Sequence, residues 1–185
     1  MSIIELTIEE MEFISKVGLL RTEENKNKKD IADYDPRRFT LSSLQANRLG
    51  VMAEAGVVKY FGYDICHTPL DVWPSFYMNE HKDLYDGADI NVPAGNFEVR
   101  RVNKRGNPVA IRRKDVEENA VVIQAYIEYA ELPDGKLRIP KKQVEILGWV
   151  DAAAAWDTAL TPAWSSSNKS RITTPNPMEE LGVLV

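Results

Sequence analysis

Two stretches in the first part of the chain repeat apolar residues at helical spacing. In the first stretch these residues are Met11, Ile14, Val17 and Leu20. Thr7 followed by Glu10 has the pattern of a capping box at its start, so an amphipathic helix is predicted there. The second stretch, residues 40–62, predicts a stronger helix that ends near Gly62. Its buried stripe is expected to consist of Leu44, Leu49, Met52, Val58 and Phe61. Residues 24–38 are polar and predict a loop.

After residue 86 the pattern changes to the short apolar–polar alternations that are typical of β-strands. Strands are predicted over residues 87–92, 97–102, 108–113, 121–130 and 142–150, and the third is expected to continue an antiparallel meander. Residues 151–160 predict a short helix with Asp151 as its N-cap. The end of the chain is rich in Ser, Thr and Pro, and we expect an extended strap whose residues 178–185 dock on the body.

The order of these elements predicts an α+β fold, in which a mixed β-sheet is flanked by helices. At 185 residues the chain is long enough for one domain with its own hydrophobic core. Within this single domain, residues 1–45 would form an N-terminal helix and polar loop, residues 46–160 the core, and residues 161–185 the strap.

Composition narrows the class of protein and its expected location. The formal net charge is −5, and the single cysteine, Cys66, excludes an internal disulfide framework and a Cys-rich zinc site. The sequence shows neither a secretion signal nor a long apolar run. We therefore expect a cytoplasmic protein that does not enter a membrane.

A basic block interrupts this acidic chain. Seven of the fifteen residues from Arg100 to Lys114 are basic and none is acidic. Such a block can bind the phosphate groups of a nucleic acid. The alternative is a solvated face of a hairpin, and charge alone does not separate the two interpretations.

The hairpin predicted over residues 87–102 carries charges that need an explanation. If residues 94–95 form a two-residue turn, Asp89 faces Arg100, and Glu98 lies on the same face of the hairpin. Two carboxylates beside a cation are costly unless a metal ion or a proton neutralises them. Oxygen ligands suit Mg²⁺ or Mn²⁺. The alternative is a surface ladder of salt bridges, which contributes little stability.

Glu54 lies in the second helix among the small residues Ala53, Ala55 and Gly56. Small neighbours allow a helix to lie close against another element. Glu54 is therefore expected to be buried at such a contact, where its carboxylate would need a partner. The alternative is an ordinary exposed glutamate of a helix.

Taken together, these residues resemble a known superfamily of nucleases. Glu54 in a helix, then Asp89, then "FEVRR" follow an order similar to that of the PD-(D/E)XK nuclease superfamily, in which an acidic helix residue precedes a strand with Asp and a strand with Glu-x-Lys. The chain looks especially like small phage-encoded nucleases of this superfamily, distantly similar to Holliday-junction resolvases. The strand "VEILGWV" and the end "NPMEELGVLV" also correspond, so the resemblance spans about residues 45–185.

The resemblance implies a restriction-endonuclease-like fold and a metal-dependent DNA endonuclease, working in the host cytoplasm if it is phage-encoded. Asp89 and Glu98 would hold Mg²⁺ or Mn²⁺, with Asp86 as a rival for the aspartate role. Glu54 would be a further ligand or would orient water, and Arg100 stands where the superfamily has its lysine. The residues that would hold duplex or branched DNA are Arg101, Lys104, Arg105, Arg112, Arg113 and Lys114.

The arginine in place of lysine leaves other functions open. A lysine can activate the attacking water, whereas Arg100 is a permanent cation that mainly stabilises charge. One alternative is a catalytically inactive nuclease-fold protein that binds DNA or acts as an inhibitor. Another is a phage accessory protein that binds a host protein. The resemblance also allows a homodimer, although no segment of the sequence identifies its interface.

Overall fold

The computed structural model describes residues 1–26, 41–75, 88–134, 136–162 and 170–181. In chain order the elements are β1 (Ser2–Glu5), α1 (Ile8–Lys26), α2 (Ser43–Tyr60), β2 (Ile90–Val92), β3 (Gly95–Val102), β4 (Val109–Arg112), α3 (Arg113–Glu117), β5 (Val121–Tyr126), β6 (Ala130–Glu131), β7 (Leu137–Arg138), β8 (Gln143–Asp151), α4 (Ala152–Trp156), β9 (Ser170–Thr173) and α5 (Met178–Leu181). The predicted α+β class is confirmed.

The main sheet has five strands in the spatial order β1-β8-β5-β3-β2. β3 and β5 run parallel, while every other neighbouring pair in this sheet is antiparallel. Parallel neighbours require a crossover connection, and here β4 and α3 form part of it. The predicted meander is therefore wrong at β4, which leaves the main sheet and pairs with β9 instead.

The two predicted long helices are present, and local side-chain contacts mark where each begins. The capping box of α1 is confirmed, because Glu10 N donates to Thr7 Oγ1 over 3.1 Å and Thr7 N donates to Glu10 Oε2 over 2.7 Å. α2 begins with an equivalent box formed by Ser42 and Gln45. After α2, Gly62 adopts the positive φ of 86° that favours glycine.

Two features of the N-terminal segment differ from the sequence-based expectation. Residues 2–5, before the predicted helix start at Thr7, form β1, an edge strand paired with β8 that the sequence pattern did not predict. A strand of four residues is too short for its alternation to stand out against the helical pattern that follows. In α1, Leu20 does not join the core and remains 46% exposed.

α2 packs closely on the main sheet, as its small residues predict. A Cβ atom placed on Gly56 would lie 2.6 Å from the Cβ of Val144 on β8, so only glycine permits this approach. Leu49, Met52 and Val58 of α2 are buried in the same core as Phe97 of β3. Leu44 and Phe61, the other members of the predicted stripe, are half-buried.

The C-terminal strap docks where its apolar residues contact the body. Met178 and Leu181 are buried in the same hydrophobic core as the apolar residues of α2. Residues 175–177 lie along β8, where Trp149 and Asn176 exchange two backbone hydrogen bonds. Most of the predicted polar loop, residues 163–169 of the strap and the final residues 182–185 lie outside the described residues.

Candidate functional site

The β2–β3 hairpin forms, but its register differs from the predicted one. Val92 pairs with Gly95 and Ile90 with Phe97, so Pro93 and Ala94 are the turn residues. The turn lies one residue earlier than expected, and Asp89 therefore does not face Arg100 directly. Asp89 instead precedes the first paired residue of β2.

Glu98 and Arg100 lie on the face of the sheet opposite to α2. Phe97 and Val99 belong to the core that α2 covers, and side chains alternate between the two faces along β3. The crossover element α3 reaches Glu98 and Arg100 on their side of the sheet. This alternation places both charged groups on the side of the sheet where Lys114 and Asp115 of α3 contact them.

The carboxylates of Asp89 and Glu98 both approach one nitrogen atom of Arg100, so three of the predicted site residues lie together. Arg100 Nη1 donates to Glu98 Oε2 over 2.5 Å and lies 3.7 Å from Asp89 Oδ2. Asp89 Oδ2 also accepts from Val99 N over 2.8 Å, which holds it against β3. From α3, Lys114 Nζ donates to Glu98 Oε1 over 3.0 Å. The structure thus brings Asp89, Glu98, Arg100 and Lys114 together.

Two further acidic residues in this cluster were missed by sequence reasoning. Asp115 is fully buried, and its Oδ1 accepts from Arg100 Nη2 over 2.8 Å. Glu118 interacts electrostatically with Lys114 and Glu98, and its buried Oε2 has no hydrogen-bond partner among the described residues. Their only signal in the sequence was their position, Asp115 directly after the basic block and Glu118 three residues later.

The charged groups of the cluster shift the pKa values of their neighbours. Burial and the nearby charges of Glu54 and Glu98 raise the pKa of Asp89 to about 7, although Arg100 opposes this shift. Asp89 nevertheless keeps 30% of its side-chain surface accessible to solvent. Burial opposes ionisation of Glu98, but the charges of Arg100 and Lys114 outweigh it and lower the pKa of Glu98.

Glu54 is buried at a contact with a partner, as predicted, but it lies in a separate network. Arg21 of α1 donates to both of its oxygens, over 2.7 and 2.6 Å, and Trp73 Nε1 donates to Oε2 over 2.9 Å. Arg21 also donates to the backbone oxygens of Pro74 and Ser75. Glu54 thereby ties α1, α2 and the segment after residue 72 together.

The predicted metal ligands do not form a three-carboxylate group. Across the described ranges, no cluster of three or more His, Cys, Asp or Glu side chains is arranged to hold a metal ion. Mg²⁺, however, is usually bound through only one or two carboxylates together with water and substrate phosphates. The adjacent carboxylates of Asp89 and Glu98 fit that smaller requirement in chemical type. Asp86 lies outside the described residues.

The six predicted DNA-binding residues differ in how far they are already engaged. Arg105 forms a bidentate ion pair with Glu145 and lies over Tyr126. Nε of Arg113 lies 3.5 Å from Oε1 of Glu117, and Nη1 of Arg101 donates to Oδ1 of Asn103. Lys104 and Arg112 are exposed, and neither forms an ion pair with another described residue. Lys114 contacts Glu98, as described above.

Comparison with known proteins places no constraint on this site: no family model, curated protein or solved structure significantly matches the chain. Among the described helices, none combines the length and the apolar character needed to cross a membrane.

Proposed function

We propose that this protein is a metal-dependent endonuclease that hydrolyses phosphodiester bonds of DNA at the cluster formed by Asp89, Glu98, Arg100 and Lys114. The observation that carries the proposal is the convergence of Asp89 and Glu98 on a single nitrogen of Arg100. Including Asp115 and Glu118, four carboxylates surround two cations in this cluster. When Asp89 is ionised, a divalent cation bound there would neutralise the excess negative charge of these carboxylates.

Asp89 and Glu98 would hold the ion, since they are adjacent oxygen donors. The side chain of Asp89 is 30% exposed and that of Glu98 only 2%, so an ion would enter on the side of Asp89. Mg²⁺ or Mn²⁺ bound there would supply a water of lowered pKa and neutralise charge on the phosphate. Arg100 and Lys114 would donate hydrogen bonds to phosphate oxygens, because both end within reach of Glu98. Lys114 is 45% exposed and is thus accessible to a DNA backbone.

A catalytically inactive DNA-binding protein is the second candidate, and the pairing of Arg100 favours it. Its guanidinium already contacts Glu98, Asp89 and Asp115, so binding a metal or phosphate requires rearranging these ion pairs. Such a protein would bind DNA through its exposed cations, chiefly Lys104 and Arg112, without cleaving it.

To test the proposal, the purified protein is incubated with supercoiled plasmid, with a four-way DNA junction and with single-stranded DNA. Each substrate is tested in the presence of Mg²⁺, of Mn²⁺ and of a chelator. We expect cleavage that requires the metal and that is abolished in Asp89→Asn and Glu98→Gln. The matched control is Asp71→Asn, which removes an exposed carboxylate outside the cluster and should cleave like the wild type. Metal-independent cleavage, or cleavage that survives both site substitutions, contradicts the assignment.

DNA binding is measured in parallel as a function of salt concentration. Substituting Lys104→Gln or Arg112→Gln should each reduce the slope of log affinity against log salt by about one. The control Lys136→Gln, in the turn between β6 and β7, should leave the slope unchanged. Salt-dependent binding without any cleavage favours the inactive alternative, and absence of both removes DNA as the substrate.

A further inference from the structure

Asp115 stands out because a fully buried carboxylate is costly unless it is well compensated. Each of its oxygens is used by a different element. Oδ1 accepts from Arg100 Nη2 on β3, and Oδ2 accepts from the backbone N of Arg112, at the start of α3, over 2.8 Å. One side chain therefore joins the first turn of α3 to the guanidinium of Arg100.

The short helix α3 makes a second contact with the same strand. Lys114 precedes Asp115 and donates to Glu98, two residues before Arg100. Lys114 and Asp115, which are consecutive in α3, are thus paired with Glu98 and Arg100, which lie two residues apart on β3. In each pair a cation contacts a carboxylate. This pairing orients the α3 side chains relative to the strand that carries the candidate site.

Closing the first turn of α3 does not by itself require a buried charge. A Ser, Thr or Asn side chain can accept a hydrogen bond from a backbone N–H at a helix start. Oδ1 of Asp115 goes beyond that role. It accepts from Nη2 of the Arg100 guanidinium, while Nη1 of the same guanidinium contacts Glu98.

We propose that Asp115 is a positioning residue of the candidate site, which fixes the Arg100 guanidinium and, through α3, holds Lys114 on Glu98. The inference rests on the proposed function for its catalytic consequence, although the geometric part is independent of it. Asp115 itself would touch neither DNA nor metal. Its effect would pass through the placement of the two cations, and misplacing catalytic groups by about 1 Å can cost on the order of 100-fold in rate.

The test compares Asp115→Asn with Asp115→Ser, because serine can still accept from Arg112 N if the asparagine variant folds poorly. We expect DNA turnover to fall about 10- to 100-fold, while the dissociation constant for DNA changes less than about threefold because the exposed cations remain. The matched control is Asp151→Asn, since Asp151 caps the short helix α4 through Ala154 N and lies outside the cluster.

Two further measurements separate positioning from a general loss of structure. In the background Arg100→Gln, the additional effect of Asp115→Asn on turnover should largely disappear, whereas a structural defect would persist at full size. In ¹⁵N–¹H spectra, the Arg100 guanidinium should show restricted rotation in the wild type and faster rotation in both Asp115 variants.

These readouts also distinguish the inference from the proposed function. If the wild type does not cleave DNA but the Arg100 signal loses its restriction in the variants, Asp115 positions Arg100 and the nuclease proposal fails. If the Arg100 signal and turnover match the wild type in folded variants, the inference about Asp115 is overturned.

Discussion

Replacing Glu54 by glutamine tests whether this residue is structural or belongs to a metal site. The amide has nearly the shape of the carboxylate, but it removes the charge opposite Arg21 and puts a donor where an acceptor is needed. Glu54 is 9% exposed and Arg21 16% exposed, so water compensates only in part. Breaking a buried ion pair by removing one partner costs about 3–5 kcal/mol.

The structure favours the lower end of this range. Arg21 keeps its hydrogen bonds to the backbone oxygens of Pro74 and Ser75 after the substitution, so its charge retains polar neighbours. We therefore expect Glu54→Gln to lower the free energy of unfolding by about 3 kcal/mol. For a chain of this length, that corresponds to a decrease in Tm of about 6–12 °C.

The assay is urea unfolding followed by far-ultraviolet circular dichroism, combined with Mn²⁺ titration of the folded protein. The control Glu12→Gln, at an exposed position of α1, should change stability by less than about 0.5 kcal/mol. We expect the Mn²⁺ affinity of Glu54→Gln to remain close to that of the wild type, because Glu54 acts on Asp89 only through its charge. A stability loss below about 1 kcal/mol, or a large loss of Mn²⁺ affinity at unchanged stability, would refute the structural role and favour the predicted ligand.

Two glycines of α2 and the acidic residue Asp89 provide the remaining predictions. Gly50→Ala should raise the free energy of unfolding by about 0.5–1 kcal/mol, because its Cβ meets nothing within 4 Å. Gly56→Ala should lower it by about 1–2 kcal/mol, because contact with Val144 outweighs the same gain in helix propensity; equal effects of the two substitutions in urea unfolding would contradict this packing. Because the pKa of Asp89 is raised to about 7, the native metal-free protein keeps a proton between about pH 4 and 7 that the unfolded chain releases, so this residue lowers stability as pH rises through that window. Urea unfolding at pH 5 and pH 8 should therefore show Asp89→Asn gaining stability relative to the wild type at the higher pH, and a constant difference would argue against the raised pKa.

Much of the local structure follows from short-range sequence signals. The capping box at Thr7, the N-cap at Asp151 and the end of α2 near Gly62 depend on residues within a few positions of each other. Such contacts form within one turn of the chain, so spacing and residue type are enough to predict them. The burial of Glu54 was likewise predictable from its small neighbours.

The partners of the charged residues could not be predicted in the same way. The hairpin register depended on which two residues form the turn, and a shift of one residue moved Asp89 away from the position directly opposite Arg100. Arg21 reaches Glu54 across 33 positions of sequence, and Asp115 reaches Arg100 only because the crossover after β3 folds back over the sheet. No local pattern encodes either contact.

The sequence by itself therefore determined the α+β class, the principal helices and the strand that carries Glu98 and Arg100. Only the tertiary structure decided that Lys114 and Asp115 join Asp89, Glu98 and Arg100 in one cluster, and that Glu54 pairs with Arg21 instead. The physical reason is that secondary structure depends on near neighbours and on the period of apolar residues, whereas an ion-pair network depends on how strands pair and connections cross.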